Sequence, residues 1–252
     1  MENPETVAAT ADDAILSKLC CVRTGYYKDP FVQAGYWARV AAFDEIIINF
    51  LESDVYNLGK PELKKCKQIL SLGAGLDTTF WRLFLTHKEL LHKSLHKYIE
   101  VDFQETTFRK MQLLSKNKGL FLENPDIFQT DDKPVLDMKH GAIFSNQYAL
   151  IPGDLCEWDA IVKLWNEKFK KEIDLDYNSP TLILSECVFI YIPAKYSSYI
   201  LDWCHRHFLS GCAIAIYEQI LPNDGFGQQM IRNLRLRTLF IYSLIFKLSF
   251  FW

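Results

Sequence analysis

Between residues 68 and 219 the chain switches repeatedly between short apolar runs and stretches with helical spacing, and this alternation constrains the fold more than any other feature. Apolar runs at 68–73, 97–103, 148–153, 181–190 and 212–219 read as strands. Residues 77–91, 105–116, 157–173 and 193–208 read as the helices between them. Five strands joined by crossover helices imply an α/β fold built on a doubly wound, mostly parallel sheet.

Two helices are expected ahead of this core. Asp12 or Asp13 can cap the first, whose apolar positions are Ile15, Leu16, Leu19 and Val22, and Gly25 can end it. The second, over 36–51, lines up Trp37, Val40, Phe43, Ile47, Phe50 and Leu51 on one stripe. Both should cover the sheet, so residues 1–252 read as one domain: a helical cover over 1–67, a core over 68–220 and an incomplete C-terminal part over 221–252. Its 49% hydrophobic content is enough to fill such a core.

A formal charge of −3 offers no broad attraction to nucleic acid. Seven cysteines without a Cys-x-x-Cys pair, and an acidic start with no basic residue before Lys18, point to reduced thiols in the cytoplasm. The apolar tail at 238–252 is shorter than the roughly 20 residues of a membrane span, so no membrane partner is expected.

The chemistry concentrates where strands end. Gly73-Ala74-Gly75-Leu76-Asp77-Thr78 leaves the first strand and opens a helix, and its glycines let a ligand touch backbone; a tight turn also favours glycine for structural reasons alone. A dinucleotide fingerprint would place a third small residue at position 78, where Thr78 stands; S-adenosylmethionine has no phosphate and needs no such arrangement. Asp102, nearer the end of the second strand than Glu100, can accept both hydroxyls of a ribose. Asp154 can accept from an adenine amino group or cap a helix, and Leu155 can lie against the ring. Glu186 is the one acid in an apolar strand and therefore a site candidate.

Other residues read more plainly. His92 and His96 lack a third ligand for a metal, and His205 and His207 face different ways on their helix. Cys20 and Cys21 sit among apolar helix positions, and Ser185 lacks the Gly-x-Ser-x-Gly frame of a hydrolase nucleophile.

Seven motifs together resemble the leucine carboxyl methyltransferase family. They are Gly25-Tyr-Tyr-Lys-Asp-Pro-Phe31, Gly35-Tyr-Trp-Ala-Arg39-Val40, Leu72-Gly-Ala-Gly-Leu-Asp-Thr-Thr-Phe-Trp-Arg82, Glu100-Val-Asp-Phe103, Ser185-Glu-Cys-Val188 with Tyr191, Tyr217-Glu-Gln219, and Phe226-Gly-Gln-Gln-Met-Ile-Arg-Asn-Leu-Arg235. The resemblance implies a Rossmann-like, S-adenosylmethionine-dependent enzyme that methyl-esterifies the C-terminal leucine of the protein phosphatase 2A catalytic subunit. It also implies that Lys18, Arg39, Gly73, Asp102, Asp154, Leu155 and Glu186 line the cofactor site, with Lys18 and Arg39 on the methionine carboxylate and Glu186 on the ammonium. Tyr191 corresponds to a family tyrosine near the reacting methyl group.

Three departures from the family pattern stand out. Phe31-Val-Gln-Ala34 runs straight into Gly35, where relatives carry a basic segment ending in Pro-x-Ile-Asn-Arg. Cys156 stands where relatives commonly have Arg, and residues 238–252 bear no likeness to the antiparallel strand pair that follows in relatives. On that ground the chain is expected to be much less active than a full-length relative, or to be a non-enzymatic form that binds cofactor or phosphatase.

Overall fold

The computed structural model describes residues 30–53, 67–125, 127–128, 133–218 and 223–236. The expected first helix, Lys18, Cys20, Cys21 and the apolar tail lie outside them. Helix α1 (Pro30–Glu52) precedes β1 (Lys67–Leu72), α2 (Thr79–Thr86), α3 (Lys88–Ser94), β2 (Leu95–Asp102) and α4 (Gln104–Lys116). There follow β3 (Val135–Asp137), β4 (Ala142–Phe144), β5 (Tyr148–Pro152), α5 (Trp158–Lys163), α6 (Lys170–Ile173), β6 (Thr181–Glu186), α7 (Ala194–His207), β7 (Cys212–Tyr217) and α8 (Gly225–Leu236).

The strands form one seven-stranded sheet in the order β3-β4-β5-β2-β1-β6-β7. The five strands expected from the apolar runs are its parallel part. β3 and β4 add an antiparallel hairpin at the β5 edge, between the helix expected over 105–116 and the strand expected over 148–153, where no strand was expected. From β1 the chain moves outward through β2 to β5, then returns to the other side of β1 as β6 and β7. The direction of winding therefore reverses between β1 and β6, and in such sheets ligands bind beyond the carboxyl ends of the strands at that reversal.

Successive strand residues point to opposite faces, and the sheet is covered on both. On one face Ile69, Tyr98, Leu150 and Leu182 pack with Phe43, Ile47 and Leu51 of α1, Phe80 and Phe84 of α2, and Met111 of α4. On the other, Leu70, Ile99, Ile151 and Ile183 pack with Trp158 and Ile161 of α5, Ile173 of α6, and Ile200 and Trp203 of α7. This is the doubly wound, Rossmann-like α/β arrangement that the pattern of runs predicts.

One ion pair crosses the first of these cores. Lys110 of α4 meets Glu100 of β2, with side-chain exposures of only 4% and 0%, and the Tyr148 hydroxyl donates to Glu100 Oε2 at 2.7 Å. Burial pushes the Glu100 carboxyl up, while Lys110 and the two hydrogen bonds pull it back.

Local differences from the sequence reading have physical causes. The helix expected over 77–91 is two, because the chain breaks at His87 with φ −135°. The helix expected over 157–173 breaks at Phe169 after a widened turn, Leu164–Lys168. The strand expected over 181–190 ends at Glu186, since Cys187 turns into the left-handed region with φ 55°. Trp37, assigned to the buried stripe of its helix, is 71% exposed; burial on α1 is found at Phe43, Ile47, Phe50 and Leu51. Among the described residues no helix is long and apolar enough to cross a membrane.

Candidate functional site

The parallel register brings five strand ends into one row. Leu72 is level with Val101 on one side and Ser185 on the other, so Gly73 follows between Asp102 and Glu186. Asp102 is level with Pro152, which puts Gly153 and Asp154 next in line. Glu186 is level with Tyr217, which puts Glu218 at the far end. Residues distant in sequence therefore meet at the reversal point because all five strands run the same way.

At the centre, Gly73 has φ +60°, and a Cβ built there would lie 2.6 Å from Val188 Cγ2. A side chain there would meet both a strained left-handed backbone and that contact, so glycine is favoured on two counts. The turn is tied to the neighbouring strand by Ala74 N donating to Val101 O at 3.2 Å and Gly75 N donating to Asp102 Oδ2 at 2.7 Å. Asp77 then accepts from Thr79 N at 3.0 Å and starts α2.

Asp102 also accepts from Phe103 N at 2.7 Å, through Oδ1. Each oxygen is thus aimed by a backbone amide. Burial raises this carboxyl, and the amides of Gly75 and Phe103 oppose the rise. Glu100, the other acid of the same motif, is spent in the core on Lys110 and Tyr148. Glu100 thus faces the core, while Asp102 stands at the strand end beside the glycine turn.

Beyond Asp102, Gly153 N donates to Asp102 O at 2.8 Å. Asp154 Oδ1 accepts from Cys156 N at 2.8 Å, so its capping role is realised at the short turn Leu155–Glu157. Leu155 is buried at 6% exposure within the second core. Burial, with Asp154 beside it, pushes the Cys156 thiol up to about 11, which leaves it neutral at physiological pH.

On the other side of Gly73, the Arg39 guanidinium of α1 donates through Nε to Glu186 Oε1 and lies over the Tyr217 ring, 5.2 Å from its centroid. Burial works against the arginine's charge, but Cys187, Glu186 and Tyr217 outweigh it and raise its pKa. Glu186 itself keeps a side-chain exposure of 20% and Arg39 one of 14%, so the pair opens partly to solvent. Tyr191 ends the turn Phe189–Tyr191 that follows β6, and its N–H donates to Val188 O at 3.0 Å.

Glu218 is the site residue that the sequence reading passed over except as part of a motif. Its Oε1 accepts from Val188 N at 2.9 Å and from Ile190 N at 3.4 Å. Burial lifts the carboxyl to about 7 against the pull of those amides and of Arg39. The signal that could have found it is the one that singled out Glu186: an acid closing an apolar strand. Of the histidines, His92 meets Phe84 edge-on, and His96 Nε2 lies 3.3 Å from Asp174 Oδ2, both away from the row. Ser185 is buried inside β6.

A sheet reversed at a glycine turn, with an acid ending the second strand and an ion pair beside it, defines a doubly wound, Rossmann-like α/β protein. A family model described as leucine carboxyl methyltransferase matches residues 23–205. A leucine carboxyl methyltransferase 1 homolog of Arabidopsis thaliana is 35% identical over 96% of this chain and 70% of its own length. Leucine carboxyl methyltransferase 1 of Rattus norvegicus is 34% identical over 92% of this chain and 68% of its own. The chain belongs to the leucine carboxyl methyltransferase family. Among solved structures, a protein titled a putative methyltransferase from Thermobifida fusca aligns with TM-score 0.46 at 13% identity, covering 79% of this chain and 60% of that one.

Proposed function

We propose that this protein is an S-adenosylmethionine-dependent carboxyl O-methyltransferase acting on the C-terminal leucine of the protein phosphatase 2A catalytic subunit. One observation carries the reading: within one row of strand ends stand a cradle that favours glycine, an acid with both oxygens pre-aimed, and a cation–anion pair. That donor set fits a ligand with a diol at one end and an amino-acid zwitterion at the other. It suits a pyrophosphate less well, since the row holds four acids, Asp102, Asp154, Glu186 and Glu218, beside the one arginine described there.

Asp102 would hold the ribose hydroxyls, and Arg39 and Glu186 the carboxylate and ammonium. A guanidinium engaged through Nε presents its terminal NH₂ groups on another edge, so carboxylate and Glu186 can be served together. The resemblance adds Lys18 to the carboxylate and Asp154 and Leu155 to the adenine. When bound, the cofactor supplies an activated methyl group on a sulfonium centre.

The chain's own residues have little proton chemistry to do. A peptide C-terminal carboxylate, with an ordinary pKa near ~3.5, is already ionised at neutrality, so no general base is needed. Their work is positioning: the strand-end row fixes the donor, and Tyr191, on the turn after β6, orients the acceptor oxygen for in-line attack. Cys156, neutral at physiological pH, cannot supply the cation that an arginine would.

The test is calorimetric titration with S-adenosylhomocysteine and with NAD, beside transfer of radiolabelled methyl to purified phosphatase core enzyme. Binding of the first ligand only, with label arriving on the catalytic subunit's C-terminus, supports the reading. Binding of NAD alone refutes it, and cofactor binding without transfer points instead to the non-enzymatic form.

A further inference from the structure

We propose that Glu218 is a positioning residue of this site: its carboxylate holds the turn after β6 by the amides of Val188 and Ile190, and through that turn sets both Gly73 and Tyr191. This role rests on the reading of the strand-end row as the donor site.

The geometry forms a chain of contacts. Cys187 leaves β6 with φ 55°, while its N–H still donates to Tyr217 O at 2.7 Å. That reversal turns the next amides, those of Val188 and Ile190, away from the sheet, where they need acceptors from elsewhere. Glu218, one residue past Tyr217, supplies one oxygen to both at 2.9 and 3.4 Å. Val188 is the side chain that closes over Gly73, and Val188 O accepts from Tyr191 N at 3.0 Å. One carboxylate at the end of β7 therefore governs the roof of the glycine cradle and the placement of the tyrosine.

Its other oxygen, Oε2, is buried with no hydrogen-bond partner among the described residues. An acid whose purpose was solubility would not be placed so, and a core position could be apolar. Arg39 of α1 is the cation facing it, and Arg39 is in turn faced by Glu186, Cys187 and Tyr217. Because burial lifts the carboxyl to about 7, its neutral form is already present at neutrality. Glutamine, which keeps an acceptor oxygen at the same reach, should then substitute well. Aspartate keeps the charge but is one methylene too short to reach both amides.

The experiment compares wild type with Glu218→Gln, Glu218→Asp and Glu218→Ala by hydrogen exchange of the 186–192 segment and by titration with S-adenosylhomocysteine. Glu218→Asp and Glu218→Ala are expected to lower protection of the Val188 and Ile190 amides and to weaken binding, each roughly tenfold, the scale of one buried hydrogen bond. Glu218→Gln should restore both, and protection of β1 and β2 should not change in any variant. Glu218→Gln failing as Glu218→Ala does, or Glu218→Asp matching wild type, would overturn the proposal. No binding by wild type, with the exchange pattern as expected, would instead refute the donor-site reading and with it Glu218's part there, while leaving the hold on the turn intact.

Discussion

Replacing Lys110 by Met should destabilise the protein far more than the loss of one lysine suggests. The side chains of Lys110 and Glu100 are 4% and 0% exposed, and Glu100 Oε1 has no hydrogen-bond partner among the described residues, so the lysine is what compensates the buried carboxylate. Breaking one side of such a pair costs about 3 to 5 kcal/mol, which for a domain of this size lowers the melting temperature by roughly 6 to 20 °C. The pH dependence has a definite sign. Burial already raises the Glu100 carboxyl, and loss of Lys110 raises it further. A carboxyl raised on folding contributes its stability below its unfolded pKa of roughly 4.3 and loses it as pH rises through the folded value. The deficit against wild type should therefore be smallest at mildly acidic pH and grow as pH rises. In Lys110→Met/Glu100→Gln the Tyr148 hydroxyl keeps an acceptor and no charge is stranded, so most of the stability should return. Urea unfolding followed by circular dichroism measures all three chains. A single-variant deficit under about 1 kcal/mol, or a double variant no better than the single, would refute the reasoning.

Gly73→Ala combines a left-handed backbone with a methyl group 2.6 Å from Val188, and should cost about 2 to 4 kcal/mol and abolish the thermal shift given by S-adenosylhomocysteine. Asp102→Ala should weaken that ligand by about 1 to 3 kcal/mol in a calorimetric titration, whereas His92→Ala should leave it unchanged. Arg39→Leu should weaken S-adenosylhomocysteine about tenfold or more but spare adenosine, which has no carboxylate; equal losses for both would rule out the assigned role.

The five parallel strands were legible because each carries a short apolar-rich stretch between helical patterns, and in β1 every residue, Lys67 and Gln68 included, is buried. The β3–β4 hairpin was not, since each strand has three residues and Val135 is 65% exposed, too little pattern to detect. Trp37 lies on the right helical stripe, but a stripe records only periodicity and not where its partner surface ends. Among the candidate site residues, Gly73, Asp102 and Glu186 stood out because each closes or follows a strand, where the apolar pattern ends. The pairing of Arg39 with Glu186, 147 positions apart, and the hold of Glu218 on a turn 28 to 30 positions earlier depend on strand order, which no local pattern encodes.

Asp102 carries a consequence for how affinity here is composed. A free carboxylate that must be immobilised to meet a ligand surrenders side-chain entropy at the moment of binding, about 0.5 to 1.5 kcal/mol for a mobile side chain. Here the amides of Gly75 and Phe103 have already frozen it during folding, at 2.7 Å each. The ordering is charged to the folding equilibrium, and association is left preorganised. Under the proposed ribose role, affinity at this position is set in part by the amides of Gly75 and Phe103, which need never touch the ligand.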